Sequence, residues 1–256
     1  MILLTAAYLV ISMSSPDATT GCPVRMSETG PDVTSDVCRT DELWLRQLPG
    51  DKDRYVAVFE TTQRQYELVT GRTPSRHPGA TRPVESVSWN EVMKGFVANL
   101  NRRVVDFSFD LPGDDLWTTA CMAGAKGDFH DGSTWTSNHT PALDRIARYG
   151  NNRHDGKGGG FLQHVRVASY EPNAWGIYDM HGNVAEWTRD WSSGKHPGNR
   201  YKSVRGGCWY PCMEIATAPY CTASWRGTSE YLGTAPDWKS DLVGFRVVAT
   251  RKGGAK

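Results

Sequence analysis

The sequence predicts an α+β domain in which short helices are set among strands and much of the chain is irregular. Three observations carry that expectation. Among 256 residues there are 26 glycines and 14 prolines, and aromatics make up 11%, a loop-rich composition unlike that of a helical bundle. Helix start and stop signals occur at only a few short places. Apolar runs of strand length, bounded by turn residues, stand near both ends of the chain.

Taken in order, "YLVIS" and "ELWLRQL" read as strands separated by a polar loop, and "RYVAVFE" follows the turn "PGDKD". The opening stretch "MILLTAAYLVISMSS" lacks the basic segment of a secretion signal and is read as the run into the first strand. "TTQRQYELVTG" places Thr62 three before Gln65, a capping box, and Gly71 where a helix-ending glycine belongs. In "VSWNEVMKGFVANLNRR", Ser88 and Glu91 form a second capping box. Trp89, Val92, Met93, Phe96, Val97 and Leu100 then recur on one helical face. "DLPGDDLWTTACMAG" reads as a tight turn into a third short helix ending at Gly124. Residues 125–170 read as glycine-rich loops, and "KSVRGGCWY" and "VGFRVVAT" read as strands bracketing an irregular segment, 208–242. There is no internal repeat and no linker, so residues 1–256 are expected to form a single domain.

A formal net charge of +1, with no block of like charge, gives no electrostatic footprint for nucleic acid or an acidic membrane. No apolar stretch approaches the roughly 20 residues of a membrane-spanning helix. The six cysteines contain no CxxC pair, which argues against the common structural zinc sites. Two readings remain open for them. Disulfides would start with the nearest pairs, Cys22–Cys38 and Cys212–Cys221; alternatively, most are small buried hydrophobes.

The stretch "NAWGIYDMHGNVAEWTRDW", residues 173–191, sets Asp179, His181, Asn183 and Glu186 among glycines and aromatics. With "RPVESVSWNEV", "FDLPGDDLWTTACMAG" and "SVRGGCWY…VGFRVV" in the same order, it resembles the formylglycine-generating enzyme (sulfatase-modifying factor) family. The resemblance covers residues 55–249, leaving 1–54 as an N-terminal strand extension. It implies a formylglycine-generating-enzyme-like variant of the C-type lectin fold, with short helices, twisted antiparallel strands and much irregular structure. It also implies a calcium ion held by Asp179, Glu186 and the carbonyls of Gly182 and Val184, an oxygen-rich set of the kind calcium takes. The alternative is that Asp179 and Glu186 cap turns and pair with Arg189 or Arg205.

Two functions from different classes follow. The family's oxidase binds copper(I) through two cysteines separated by four residues, just after the RGG strand, and converts a cysteine of a sulfatase-type peptide. Here Cys212 and Cys221 are separated by eight, out of register for that role. The same segment carries Trp209, Tyr210, Met213, Glu214, Tyr220, Glu230, Tyr231 and Trp238, a mixture of aromatics and charges suited to a binding surface. It coincides with the part that varies in the variable proteins of diversity-generating retroelements, some of which resemble this family. The favoured expectation is a non-catalytic protein that binds a ligand, a protein or other macromolecule, through residues 208–242. Its expected location is secreted or surface-displayed, and the copper-dependent oxidase is the alternative.

Overall fold

The computed structural model of the protein describes residues 8–13, 22–134, 142–150, 163–191, 201–210 and 235–253. Among them, β1 (Tyr8–Ser12), β2 (Val24–Ser27), β3 (Glu42–Gln47), β4 (Arg54–Ala57), β5 (Phe107–Asp110) and β9 (Val248–Arg251) form a six-stranded sheet. Its order is β2-β1-β3-β4-β9-β5 and each described pairing is antiparallel. β6 (Ala185–Trp191), β7 (Lys202–Arg205) and β8 (Val243–Gly244) form a second sheet in the order β7-β6-β8. There β6 runs antiparallel to β7, with a bulge between Trp187 and Trp191, and parallel to β8. The expectation of antiparallel strands therefore holds with one parallel exception. β1, β2 and β3 lie in the same sheet as β4 and β9, so the first 54 residues supply strands of the main sheet.

The helices are short, as expected: α1 (Val37–Thr40), α2 (Gln63–Thr70), α3 (Trp89–Glu91), α4 (Ala98–Arg103), α5 (Asp114–Met122) and α6 (Leu143–Ile146). Both capping boxes form. Thr62 Oγ1 accepts from Gln65 N while Gln65 Oε1 accepts from Thr62 N, and Gly71 closes α2 at φ 70°. Between α3 and α4 the chain makes a π turn, Val92–Val97, which periodicity alone did not foretell. Its wider turn carries residues five apart into register, and Val92, Phe96 and Val97 are all buried there. Phe96 stacks on Tyr66 with centroids 5.8 Å apart and meets Phe245 edge-on at 5.1 Å. Ser88→Ala is expected to lower the unfolding free energy by about 1 kcal/mol, the usual worth of an N-cap side chain, read from urea denaturation. An unchanged midpoint would mean that packing of Phe96 alone holds this helix.

"VGFRVVAT" is not one strand. It begins in the second sheet as β8, leaves it, and re-enters the first as β9. Phe245, Arg246 and Val247 make the crossing and are all fully buried. The main core cluster spans both sheets, with Leu9, Leu45, Tyr55, Phe96, Trp187 and Phe245 among its members. Cys22, Cys38, Cys121 and Cys208 are free and buried. Of the two readings left open for the cysteines, these four follow that of small buried hydrophobes; Cys22 and Cys38 are unpaired and belong to different core clusters. No helix among the described residues is long and apolar enough to cross a membrane.

Candidate functional site

The polar run 173–191 is a sequence of tight turns feeding β6, and its side chains are spent on holding those turns. Asn173 Oδ1 accepts from Trp175 N and Ile177 N, while its Nδ2 donates to the Ala120 and Cys121 carbonyls at the end of α5. Asp179 and Asn183 adopt left-handed backbone, φ 57° and 61°, a conformation these residue types tolerate. Gly182 has φ 78°, and a Cβ there would lie 2.0 Å from the Arg148 carbonyl oxygen, so only glycine fits. Asn183 Nδ2 donates to Glu60 Oε2 at 2.6 Å and Val184 N donates to Glu60 Oε1 at 3.0 Å.

Glu186 meets Arg246, brought in by the crossing between sheets, and the Asp179 carboxyl lies close enough to feel its charge. Arg246 Nε donates to both Glu186 oxygens at 2.9 and 2.8 Å, and Nη2 donates to Glu186 Oε1 at 2.7 Å. Trp117 Nε1 completes the carboxylate, donating to Oε2 at 2.7 Å. The remaining guanidinium donors reach the carbonyls of Ala57 and Tyr178. Glu60, Asp179, Glu186 and Arg246 are all buried. Burial raises the Asp179 carboxyl to about 6. Burial, with Asp179 and Glu186 close by, holds Glu60 well above its usual range.

Glu186 is not free to serve the calcium ion implied for Asp179, Gly182, Val184 and Glu186, whereas Asp179 Oδ1 is buried without a hydrogen-bond partner. Arg246 already neutralises Glu186, and both of that carboxylate's oxygens are taken by nitrogen donors. Two positive charges on one buried carboxylate would repel in a medium that screens poorly. Nor does Glu186 pair with Arg189 or Arg205: Arg205 Nη2 lies 2.9 Å from Asp114 Oδ2, while Arg189 stands between Asp110 and Asp190. His181 stacks on His130 at 4.9 Å and its Nε2 accepts from His130 N. The cluster is a structural clasp between the sheets.

Of the expected ligand-binding residues, Trp209, Tyr210 and Trp238 are described. Met213, Glu214, Tyr220, Glu230 and Tyr231 lie outside the described residues, as do Cys212 and Cys221. Trp209 is only 4% exposed and donates its indole N–H to the Asp241 carbonyl at 3.2 Å. Trp238 packs on the core, edge-on to Trp187. Trp209 is therefore part of the interior, and Trp238 is half-buried with its ring against the core. Tyr210 is displayed, at 43% exposure.

Trp209 and Tyr210 line a cavity of about 370 Å³ with Arg76, His77, Asp241 and Leu242. The Tyr210 ring meets Trp209 edge-on at 5.6 Å, and His77 meets the same indole at 5.5 Å. Asp241 Oδ2 lies 3.2 Å from His77 Nε2 and 3.4 Å from Arg76 Nη1. Behind His77, the buried His164 stands 3.6 Å from Glu85, and burial holds its imidazole below the ordinary value. Sequence reasoning missed Arg76, His77 and Asp241, because residues so far apart in the chain leave no local signal of meeting. The cavity adjoins Tyr210, the last described residue before 211–234, and it offers aromatic surface, a cation and a carboxylate together.

Residues 25–251 match the family described as sulfatase-modifying factor enzyme 1-like domain. The chaperone protein LppX of Paenibacillus barcinonensis is 27% identical, with 78% of this chain and 81% of the relative covered. Inactive C-alpha-formylglycine-generating enzyme 2 of Mus musculus is 30% identical over 66% of this chain and 49% of its own length, so the chain spans about half of that relative. Among solved structures, Treponema denticola variable protein 1 aligns with a TM-score of 0.58 at 23% identity, covering 78% of this chain and 84% of that one; this similarity speaks to fold. Because the family match takes in strands of both sheets and every residue of the clasp around Arg246, the chain belongs to the sulfatase-modifying factor enzyme 1-like family.

Proposed function

We propose that the protein is a non-catalytic ligand-binding member of its family, presenting a surface from residues 208–242 to a protein or other macromolecule. The observation that carries this reading is the cavity beneath Tyr210, where an exposed phenol stands on a buried indole beside Arg76 and Asp241. A rigid aromatic anchor flanked by polar groups is the usual make-up of a binding hot spot. Cys208, the thiol nearest this cavity in the chain, speaks against covalent chemistry at its own position. It is fully buried and burial pushes its thiol up to about 12, so the reactive thiolate is scarcely populated at neutral pH. A family that includes a relative named as inactive accommodates such a role, and the likeness to a variable protein lends the scaffold a precedent.

The test uses peptides selected from a phage-displayed random library against the immobilised protein. Selected peptides are expected to lose about tenfold in affinity on Tyr210→Ala, a hot-spot effect, and to be indifferent to Cys212→Ser and Cys221→Ser. Tyr210 is chosen over Trp209 and Trp238 because its side chain is exposed, so the fold survives its loss. Selected peptides that ignore Tyr210→Ala, or no selected peptide at all, would overturn this placement of the surface. Oxygen uptake with copper(I) and a cysteine peptide, abolished by Cys212→Ser, would replace the reading with the oxidase.

A further inference from the structure

A second cavity, about 760 Å³, opens on another part of the molecule and takes none of its lining from residues 208–242. The β3–β4 hairpin, β5, β9, the N-terminal half of α5 and the end of β6 surround it. Its apolar lining includes Leu48, Leu111, Leu116 and Val248, and Trp175 stands at its side. Four aspartates, Asp51, Asp110, Asp115 and Asp190, face two arginines, Arg54 and Arg189. The cavity thus carries an excess of two negative charges.

Three of these side chains are poised and not spent. Trp175 is half-buried, with one side packed on the core cluster of Leu48, Ile177 and Met180. Among the described tryptophans it alone has no ring partner, no cation over its face and no bond from its indole N–H. Trp44, Trp89 and Trp191 by contrast hold Arg25 or Lys202 at 3.9–5.0 Å from the ring centre. Asp115, exposed in the first turn of α5, makes no ion pair or side-chain hydrogen bond among the described residues. Arg189 is bracketed by Asp110 and Asp190 at 3.8 and 3.9 Å, beyond hydrogen-bond reach of either. It is 60% exposed, so a second guanidinium can share those carboxylates at little cost.

We infer that this cavity is a binding site for an arginine side chain carried by a partner polypeptide, with the guanidinium stacked on Trp175 and paired with Asp115. A flat, weakly hydrated guanidinium suits both contacts: it stacks on an indole face and donates in parallel to a carboxylate. The apolar floor takes the methylene stem, which favours a side chain over a bare metal ion. The site is independent of the surface around Tyr210.

The probe is tri-arginine amide, titrated into the full chain by calorimetry and by the ¹⁵N-labelled indole resonances. The expected result is saturable binding that weakens with added salt, and a shift confined to the indole resonance that disappears in Trp175→Phe. Asp115→Asn, an exposed change that leaves the fold intact, is expected to weaken binding about threefold, the scale of a surface ion pair. Trp175→Phe should weaken it about fivefold through the poorer cation–π face and the lost N–H. Tyr210→Ala should leave it unchanged, which separates this site from the proposed ligand surface. Absence of saturable binding, equal affinity in Asp115→Asn, or a shift centred on Trp191 would each overturn the assignment. Spermidine binding as tightly as the peptide would overturn it too, because a free polyamine would then be the natural occupant.

Discussion

Arg246→Met is expected to remove about 3–5 kcal/mol of unfolding free energy, the scale seen when one partner of a buried ion pair is deleted. The guanidinium is fully buried and forms bonds to Glu186, to the Ala57 carbonyl on β4 and to the Tyr178 carbonyl in the turns before β6. Removing it strands Glu186, takes from Glu60 the cation that acts on it, and leaves Asp179 with Arg39 alone. It also cuts a tie between the two sheets. Arg246→Lys should recover little, because a single ammonium cannot reproduce the forked contact with both Glu186 oxygens. The double change Arg246→Met with Glu186→Met should be milder than Arg246→Met alone, since no stranded charge remains. Urea denaturation followed by tryptophan fluorescence reads all three. A single variant within about 1 kcal/mol of the parent, below the cost of one unpaired buried group, would show that the pair does not clasp the sheets.

The parts of this fold legible in the sequence are those whose cause is local. Thr62 with Gln65 and Ser88 with Glu91 announce helix starts because each box is closed within four residues. β1 and β3 announce themselves through dense apolar runs between turn residues. β6 was hidden because its first four residues, Ala185 to Thr188, are all buried, Glu186 included. Without a polar face there is no alternation to read, and a buried carboxylate imitates a loop. β5 was missed for want of length, and β2 because it is an exposed edge of four residues. The clasp was half legible: Asp179 and Glu186 drew notice as chemistry, but their partner lies sixty residues further on. One signal did stand in "VGFRVV", where a single arginine interrupts an apolar run. A charge in that setting is either exposed or paired in the core, and the pairing here explains why the strand divides around it. The cavity beneath Tyr210 left no such trace, because His77 and Asp241 meet only through the fold.

Stability should vary with pH through the same clasp, and Asp179→Asn should remove part of that variation. The Asp179 carboxyl rises to about 6 in the folded protein, against an ordinary value of 3.8, with burial the main cause. A raised folded value means that the native state holds the proton more tightly than the unfolded one. Its contribution is therefore fully present below about pH 4 and is lost as pH rises through about 6. Glu60 is shifted in the same direction, and the two carboxyls share one environment. Other acids pull the opposite way: Asp114, bonded to Arg205, Thr188 and Ser203, titrates below its usual value and adds stability as pH rises. The diagnostic quantity is accordingly the difference between parent and variant, measured from pH 4 to pH 8. Asparagine keeps an acceptor for the Ala168 N–H, suits the left-handed backbone at φ 57°, and carries no charge to bury. The variant should be the less stable protein or its equal near pH 4, and should gain on the parent through pH 6. At neutral pH it should be the more stable by about 1–2 kcal/mol, which is the ceiling of 1.36 kcal/mol per shifted unit reduced by the unpaired amide N–H₂ left in place of Oδ1. A difference that stays flat across that range would mean that Asp179 is ionised throughout and that Arg246 balances two full charges. A difference that grows in the parent's favour would mean that the Asp179 charge itself holds the clasp shut.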